Sequence, residues 1–235
     1  MKLALLSGDA GCGKSYAISL LVRKLRSMGI SVAVSAMTNK AVGALMETCS
    51  LDQVYTFHRM MGFKKELLDD KLSLDDFTKR YRKVYGQVVF HFGMLRGSEQ
   101  LPPLNIGNTT LVRRLRPESC SVCSEVLRRM RVPRNPREEA PMANAPPFLG
   151  ANVLIVDEYG LMNVEILERM LSVLSVFYGP GKGPLIVFSG SVSQLQPVGS
   201  NLPVWKSERF EELLSCSTPL FSTGDSSRTR VTGRL

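Results

Sequence analysis

A chain of 235 residues has room for one ordinary domain with an insertion, and none of its apolar runs approaches the roughly 18 residues that a membrane-crossing helix requires. Lys and Arg number 30 against 21 Asp and Glu, a net charge of +9 that favours a polyanionic partner, with nucleic acid the first candidate. The five cysteines are unevenly spaced, which excludes a disulfide framework and fits a reduced, intracellular chain.

In chain order, Leu3, Ala4, Leu5 and Leu6 form a short apolar run, too brief for a secretory signal. It leads into Gly8, Asp9, Ala10, Gly11, Cys12, Gly13, Lys14, Ser15 and Tyr16, a complete G-x-x-x-x-G-K-S phosphate loop. Glycines at 8, 11 and 13 let the backbone turn so that successive N–H groups point at a triphosphate. Lys14 is expected to reach the β- and γ-phosphates of ATP, and Ser15 to offer its hydroxyl to Mg²⁺. A helix starting near Lys14 aims its positive end at the anion. Ile18, Leu21, Val22 and Leu25 recur at helical spacing, with Arg23, Lys24 and Arg26 on the other side.

Gly29 fits a helix C-cap, and the β-branched run at 30–36 predicts a second strand of a parallel sheet. Thr38, Asn39 and Lys40 follow it and open another helix through Leu45 and Met46. Polar residues at the carboxyl end of a parallel strand sit where open α/β sheets place their ligand contacts. A second such cluster is Tyr55, Thr56, Phe57, His58 and Arg59. Residues 64–85 alternate charged and apolar positions and read as solvated helices.

Between 86 and 150 prolines and arginines multiply, which predicts a basic insertion, helical around 121–130 and a flexible linker over 133–147. Its arginines serve either a second nucleic-acid surface or a solvated loop. Cys120 and Cys123 are half of a zinc pattern whose other half is missing, so they are expected to be ordinary thiols. Cys12 is read as a space-filling residue rather than a redox switch, and His91, between Phe90 and Phe92, as structural.

Val153, Leu154, Ile155 and Val156 then end in Asp157 and Glu158, a buried strand with a Walker B-type site. Asp157 is expected to hold Mg²⁺, directly or through water, and Glu158 to polarise the attacking water. A helix over 164–176 and a strand over 185–188 follow, then Ser189, Gly190, Ser191, Val192, Ser193, Gln194, Leu195, Gln196, Pro197 and Val198. Trp205, Phe210, Leu213 and Leu214 allow one more helix. The expected fold is α/β: a P-loop NTPase (RecA-like) with a mainly parallel sheet flanked by helices. Its two parts, 1–85 and 151–214, bracket the insertion at 86–150, and 215–235 is expected to be a disordered tail.

The stretch from Gly190 to Val198, behind a phosphate loop and an Asp-Glu strand, resembles motif III of superfamily 1 helicases of the RecD-like and eukaryotic accessory-helicase branch. The resemblance implies that Gln194 contacts the γ-phosphate and couples hydrolysis to movement on a single strand. Met37, Thr38, Asn39, Lys40, Ala41 and Val42 resemble motif Ia, and Thr56, Phe57 and His58 the threonine-x-histidine element behind it; both touch the single strand in that family. Residues 55–64, Gly190 with Ser191, and Asp157 through Leu161 look like the helicase subunit of the herpesvirus helicase–primase. That implies a viral replication machine in a host nucleus, single-stranded DNA as track, and primase or other replication subunits as partners.

Thr38, Asn39, Lys40, Thr56 and His58 carry donors suited to phosphates and sugars, and Phe57 could stack on a base. The family also has a second RecA-like domain whose arginines reach the nucleotide, and a segment before the phosphate loop that grips adenine. Arg228 and Arg230 lie in no pattern that would hold them as such fingers. The chain is therefore expected to be the first motor domain alone, a fragment or half of a two-chain motor. Two competitors are a nucleotide-binding assembly module without turnover and a viral RNA helicase domain.

Overall fold

The computed structural model describes residues 2–51, 53–69, 72–96, 145–180, 182–191, 202–215 and 221–222. Short apolar runs become the strands β1 (Leu3–Ser7), β2 (Val32–Ala36), β3 (Tyr55–Thr56), β4 (Val153–Asp157), β5 (Leu185–Gly190) and β6 (Phe221–Ser222). They form one six-stranded sheet in the order β3-β2-β4-β5-β1-β6. All pairings are parallel. β4 is buried along its whole length, as a central parallel strand with helices on both faces must be.

Side chains alternate across the sheet. Ala4, Leu6, Val34, Ala36, Val153, Ile155 and Val187 pack under α1 (Lys14–Ser27) and α2 (Asn39–Cys49), which supply Ile18, Val22, Ala41 and Leu45. Leu3, Ala33, Leu154, Val156, Ile186 and Phe188 face a larger, aromatic layer. That layer is built from α3 (Phe57–Met61), α4 (Leu74–Arg96), α5 (Val164–Tyr178) and α6 (Glu208–Ser215). Each fully buried aliphatic or aromatic side chain contributes about 1.5–3 kcal/mol relative to exposure. This is the expected α/β P-loop architecture.

One expectation changes. Residues 64–85 are not simply solvated: α4 buries Phe77, Tyr81, Tyr85, Val88 and Phe92 in one helical stripe. The charges that suggested solvation, Lys79, Arg80, Arg82 and Lys83, lie on the outer face of the same helix. Tyr81 and Tyr85 also donate to the carbonyls of Met61 and Gly62, each at 2.8 Å. Gly62 has to be glycine: its φ is +70°, and a Cβ there would meet the Tyr85 hydroxyl at 2.7 Å.

α4 breaks its helical backbone at Tyr85, beside the insertion boundary expected at 86, and resumes to Arg96; Phe148 and Leu149 are buried in the same layer. Within the stretch read as a tail, Phe221 and Ser222 pair with Leu6 and Ser7 as β6. The predicted helix at 121–130, Cys120, Cys123, Arg228 and Arg230 lie outside the described residues, as does the side chain of His91.

Arg169 is the buried charge of this layer, 4% exposed on α5. It donates to Glu165 and to the carbonyls of Leu67 and Asp69, at 3.5 and 3.2 Å, and stacks over Phe77. Its charge is thereby satisfied, and the 65–69 segment is fastened to α5. Among the described residues no helix is long and apolar enough to cross a membrane.

Candidate functional site

The parallel register brings the carboxyl ends of five strands level. Ser7 pairs with Gly190, Ser189 with Asp157, Asp157 with Ala36, and Ala36 with Thr56. Every loop carrying a candidate residue therefore leaves the sheet from one edge, where such sheets bind ligands.

The phosphate loop continues β1 by one rung, Gly8 N–H donating to the Gly190 carbonyl at 3.3 Å. Gly11 and Gly13 adopt φ of +78° and +86°, and a Cβ on either would touch nothing. Their requirement is backbone conformation, not space. Lys14 reaches back across the loop, its Nζ donating to the Gly8 and Asp9 carbonyls, each at 2.6 Å, with the Cys12 thiol at 3.8 Å. No acidic residue occupies the first turn of α1, so its positive end is unopposed. Asp9, Ala10, Cys12 and Tyr16 are exposed around the loop, and Ser15 is half-buried on the first turn of α1.

Asp157 ends β4, 8% exposed and one strand away from β1. Burial pushes its pKa above 3.8, while the Ser189 hydroxyl, the Glu158 backbone and the Lys14 charge pull it back. The pull from Lys14 puts ammonium and carboxylate in one electrostatic site. Ser189 favours the carboxylate from close by, yet its hydroxyl closes no hydrogen bond of ordinary geometry and is buried without a partner. The Asp157 carboxylate and the Ser189 hydroxyl beside it are hard oxygens of the kind that Mg²⁺ with its waters takes, and the Ser15 hydroxyl on the first turn of α1 is a third that would suit it. Among the described residues no three His, Cys, Asp or Glu side chains cluster, so most ligands would come from phosphate and water.

The raised pKa carries a stability consequence. Folded Asp157 holds its proton more tightly than the unfolded chain does, so this group costs stability as pH rises above 3.8 through the raised value. Asp157→Asn, which removes the buried charge, is expected to raise the Tm of the metal-free chain at pH 7. In thermal unfolding the gain should narrow as pH falls toward 3.8; an unchanged or lower Tm at pH 7 refutes it.

Glu158 turns out of the strand with φ 58° and ψ 36°, a left-handed conformation uncommon outside glycine. Its Oε2 accepts a hydrogen bond from Thr38 Oγ1 at 2.9 Å. Thr38 is also the N-cap of α2, accepting from Ala41 N–H at 3.2 Å. The proton of the Thr38 hydroxyl is thus committed within the chain.

Asn39 and Lys40 are exposed on the first turn of α2. Thr56 caps α3 by accepting from Arg59 N–H at 3.4 Å. His58 is partly buried, and desolvation lowers its pKa below 6.5, leaving a neutral imidazole at pH 7. Phe57 requires a correction: it is 0% exposed and packs edge-to-face on Phe63, so it cannot stack on a base. As the first residue of α3 it points into the core while its polar neighbours point out. Gln194 lies outside the described residues.

Two features escaped sequence reasoning. One is the Thr38–Glu158 bond, which depends on β2 lying beside β4. The other is Tyr55, over whose ring the exposed Arg59 guanidinium sits at 5.7 Å; an aromatic four residues before an arginine was the available signal.

Compared with known proteins, the sequence matches the family described as AAA domain over residues 1–200. No curated protein matches it. Among solved structures it is similar to the Pif1 helicase from Candida albicans, with 16% identity and a TM-score of 0.53, covering 93% of this chain and 35% of that one. It is also similar to Bacteroides sp Pif1 in complex with ADP-AlF4, with 16% identity and a TM-score of 0.43, covering 91% of this chain and 32% of that one. The chain thus spans about a third of the length of these structures. The likeness to the Candida albicans structure shows the shared fold, not the activity. By the match over 200 residues and a phosphate loop set on the same sheet edge as Asp157, the chain belongs to the AAA domain family.

Proposed function

We propose that the chain is the ATP-binding and ATP-hydrolysing first motor domain of a superfamily 1 DNA helicase. The observation that carries this reading is the joint placement of the phosphate loop, Asp157 and Glu158 on one sheet edge, with the Lys14 charge felt at Asp157. Loop N–H groups and Lys14 bind the phosphates, and Ser15 and Asp157 would hold magnesium, which would supply positive charge to offset that developing on the phosphates. Glu158 orients the attacking water and takes up its proton, in line with the departing diphosphate. Gln194, by its motif III resemblance, meets the γ-phosphate.

The finer assignment follows the motif resemblances: the RecD-like branch, and within it a replication helicase like the herpesvirus helicase–primase subunit. Under this reading the chain works inside the cell, in a host nucleus, on single-stranded DNA and beside primase or other replication subunits. Asn39 and Lys40, exposed next to the site, contact the strand with Thr56 and His58.

The test is ATP hydrolysis by this chain with and without single-stranded DNA or RNA. Lys14→Ala is expected to weaken ATP binding by about 10- to 100-fold, the size of lost charge-assisted contacts, and to stop turnover. Single-stranded DNA should raise the wild-type rate, more than RNA does. Turnover unaffected by Lys14→Ala refutes the site, and a rate and ATP affinity blind to polynucleotide refute the motor. ATP binding without any turnover selects the assembly module, and a preference for RNA the RNA helicase.

A further inference from the structure

Thr38 and Glu158 stand 120 positions apart, and their hydrogen bond exists because Ala36 on β2 is level with Asp157 on β4. The same alignment is tied by Met37 N–H donating to the Asp157 carbonyl at 3.3 Å. The left-handed backbone at Glu158 aims the side chain out of the strand but leaves its long torsions unset. Thr38 is suited to set them. Its χ1 is restricted by β-branching, and its oxygen is fixed by capping α2 through Ala41 N–H.

Resting on the ATP-hydrolysis reading above, we propose that Thr38 is the positioning residue for Glu158. Its hydroxyl holds Oε2 so that Oε1 faces the water. A base held by a third group follows the general logic of oriented catalytic pairs. Thr38 touches neither phosphate nor water in this role. A hydroxyl has one proton, and here it goes to Glu158, so a phosphate contact at this position would have to break the bond. The motif Ia threonine thereby acts on hydrolysis from the same turn whose Asn39 and Lys40 are exposed.

Three substitutions separate positioning from helix capping. Thr38→Ser keeps both donor and cap and is expected to hold kcat within about twofold. Thr38→Asp keeps the cap but, ionised, has no proton to donate; Thr38→Val keeps neither. Both are expected to lower kcat about tenfold with the ATP KM within about twofold. In a Glu158→Ala background Thr38→Val should lower the residual kcat no further. A kcat restored by Thr38→Asp, a loss appearing in KM, or a full additional loss in Glu158→Ala each overturns the proposal.

Denaturant unfolding supplies a readout free of turnover. The drop in midpoint caused by Thr38→Val should shrink in Glu158→Ala, and an equal drop in both backgrounds refutes the pairing. Wild-type turnover that Glu158→Ala abolishes and Thr38→Val leaves intact refutes this proposal alone. A wild-type chain that turns over no ATP refutes the reading beneath it as well.

Discussion

Glu158→Gln is expected to lower ATP turnover by about 10²–10³-fold and to leave Mg·ATP affinity within about twofold, the signature of a lost general base. Its position supports the split. Glu158 stands one residue past the strand, turned out by its left-handed backbone, while buried Asp157 is the carboxylate that feels Lys14. A glutamine amide keeps an oxygen for Thr38 Oγ1 but cannot take up a proton. Geometry therefore survives and only proton acceptance is removed. The check is steady-state hydrolysis together with fluorescent ATP-analogue binding, for wild type and variant. Equal losses in kcat and affinity would make Glu158 a binding group, and an unchanged kcat would remove it from the chemistry.

The two halves of the site were legible to different depths. The phosphate loop and the Asp157 strand could be read because local pattern and local structure coincide there. A buried strand in a parallel sheet is an unbroken apolar run, and only glycine takes the φ of +78° and +86° at positions 11 and 13 without strain. Residues 30–36 and 185–188 were readable as strands for the same reason, and they form β2 and β5 within about two residues at each end. Two residues of pairing, as at β6, carry no such signature, because neither Phe221 nor Ser222 makes a pattern of its own.

What failed to show was direction. The charge alternation over 64–85 hid the α4 stripe, since a helix can expose Lys79 and Arg80 while burying Phe77 and Tyr81. Contacts such as Thr38 to Glu158 were out of reach for another reason: they depend on strand order, which no local pattern specifies. The order β3-β2-β4-β5-β1-β6 inserts β4 and β5 between β2 and β1, so elements far apart in sequence share an edge.

Phe57→Ala is expected to destabilise the chain by about 3–5 kcal/mol, the usual consequence of emptying a fully buried aromatic site. Phe57 is 0% exposed, edge-to-face with Phe63 at 6.0 Å, and clustered with Met60 and Met61. Phe63 passes the contact on to Phe77 and Tyr81, so a cavity here loosens the junction between α3 and α4. Such a loss is a large part of the about 5–15 kcal/mol that holds an ordinary domain together, so Phe57→Leu serves as the folded companion, costing about 1–1.5 kcal/mol. Denaturant midpoints measure both, and single-stranded DNA titration of Phe57→Leu measures the surface. A core residue predicts unchanged DNA affinity in that variant. A base-stacking residue predicts the reverse: Phe57→Ala as stable as wild type and DNA binding weaker by about 1–3 kcal/mol, and that pair of results would put Phe57 back on the surface.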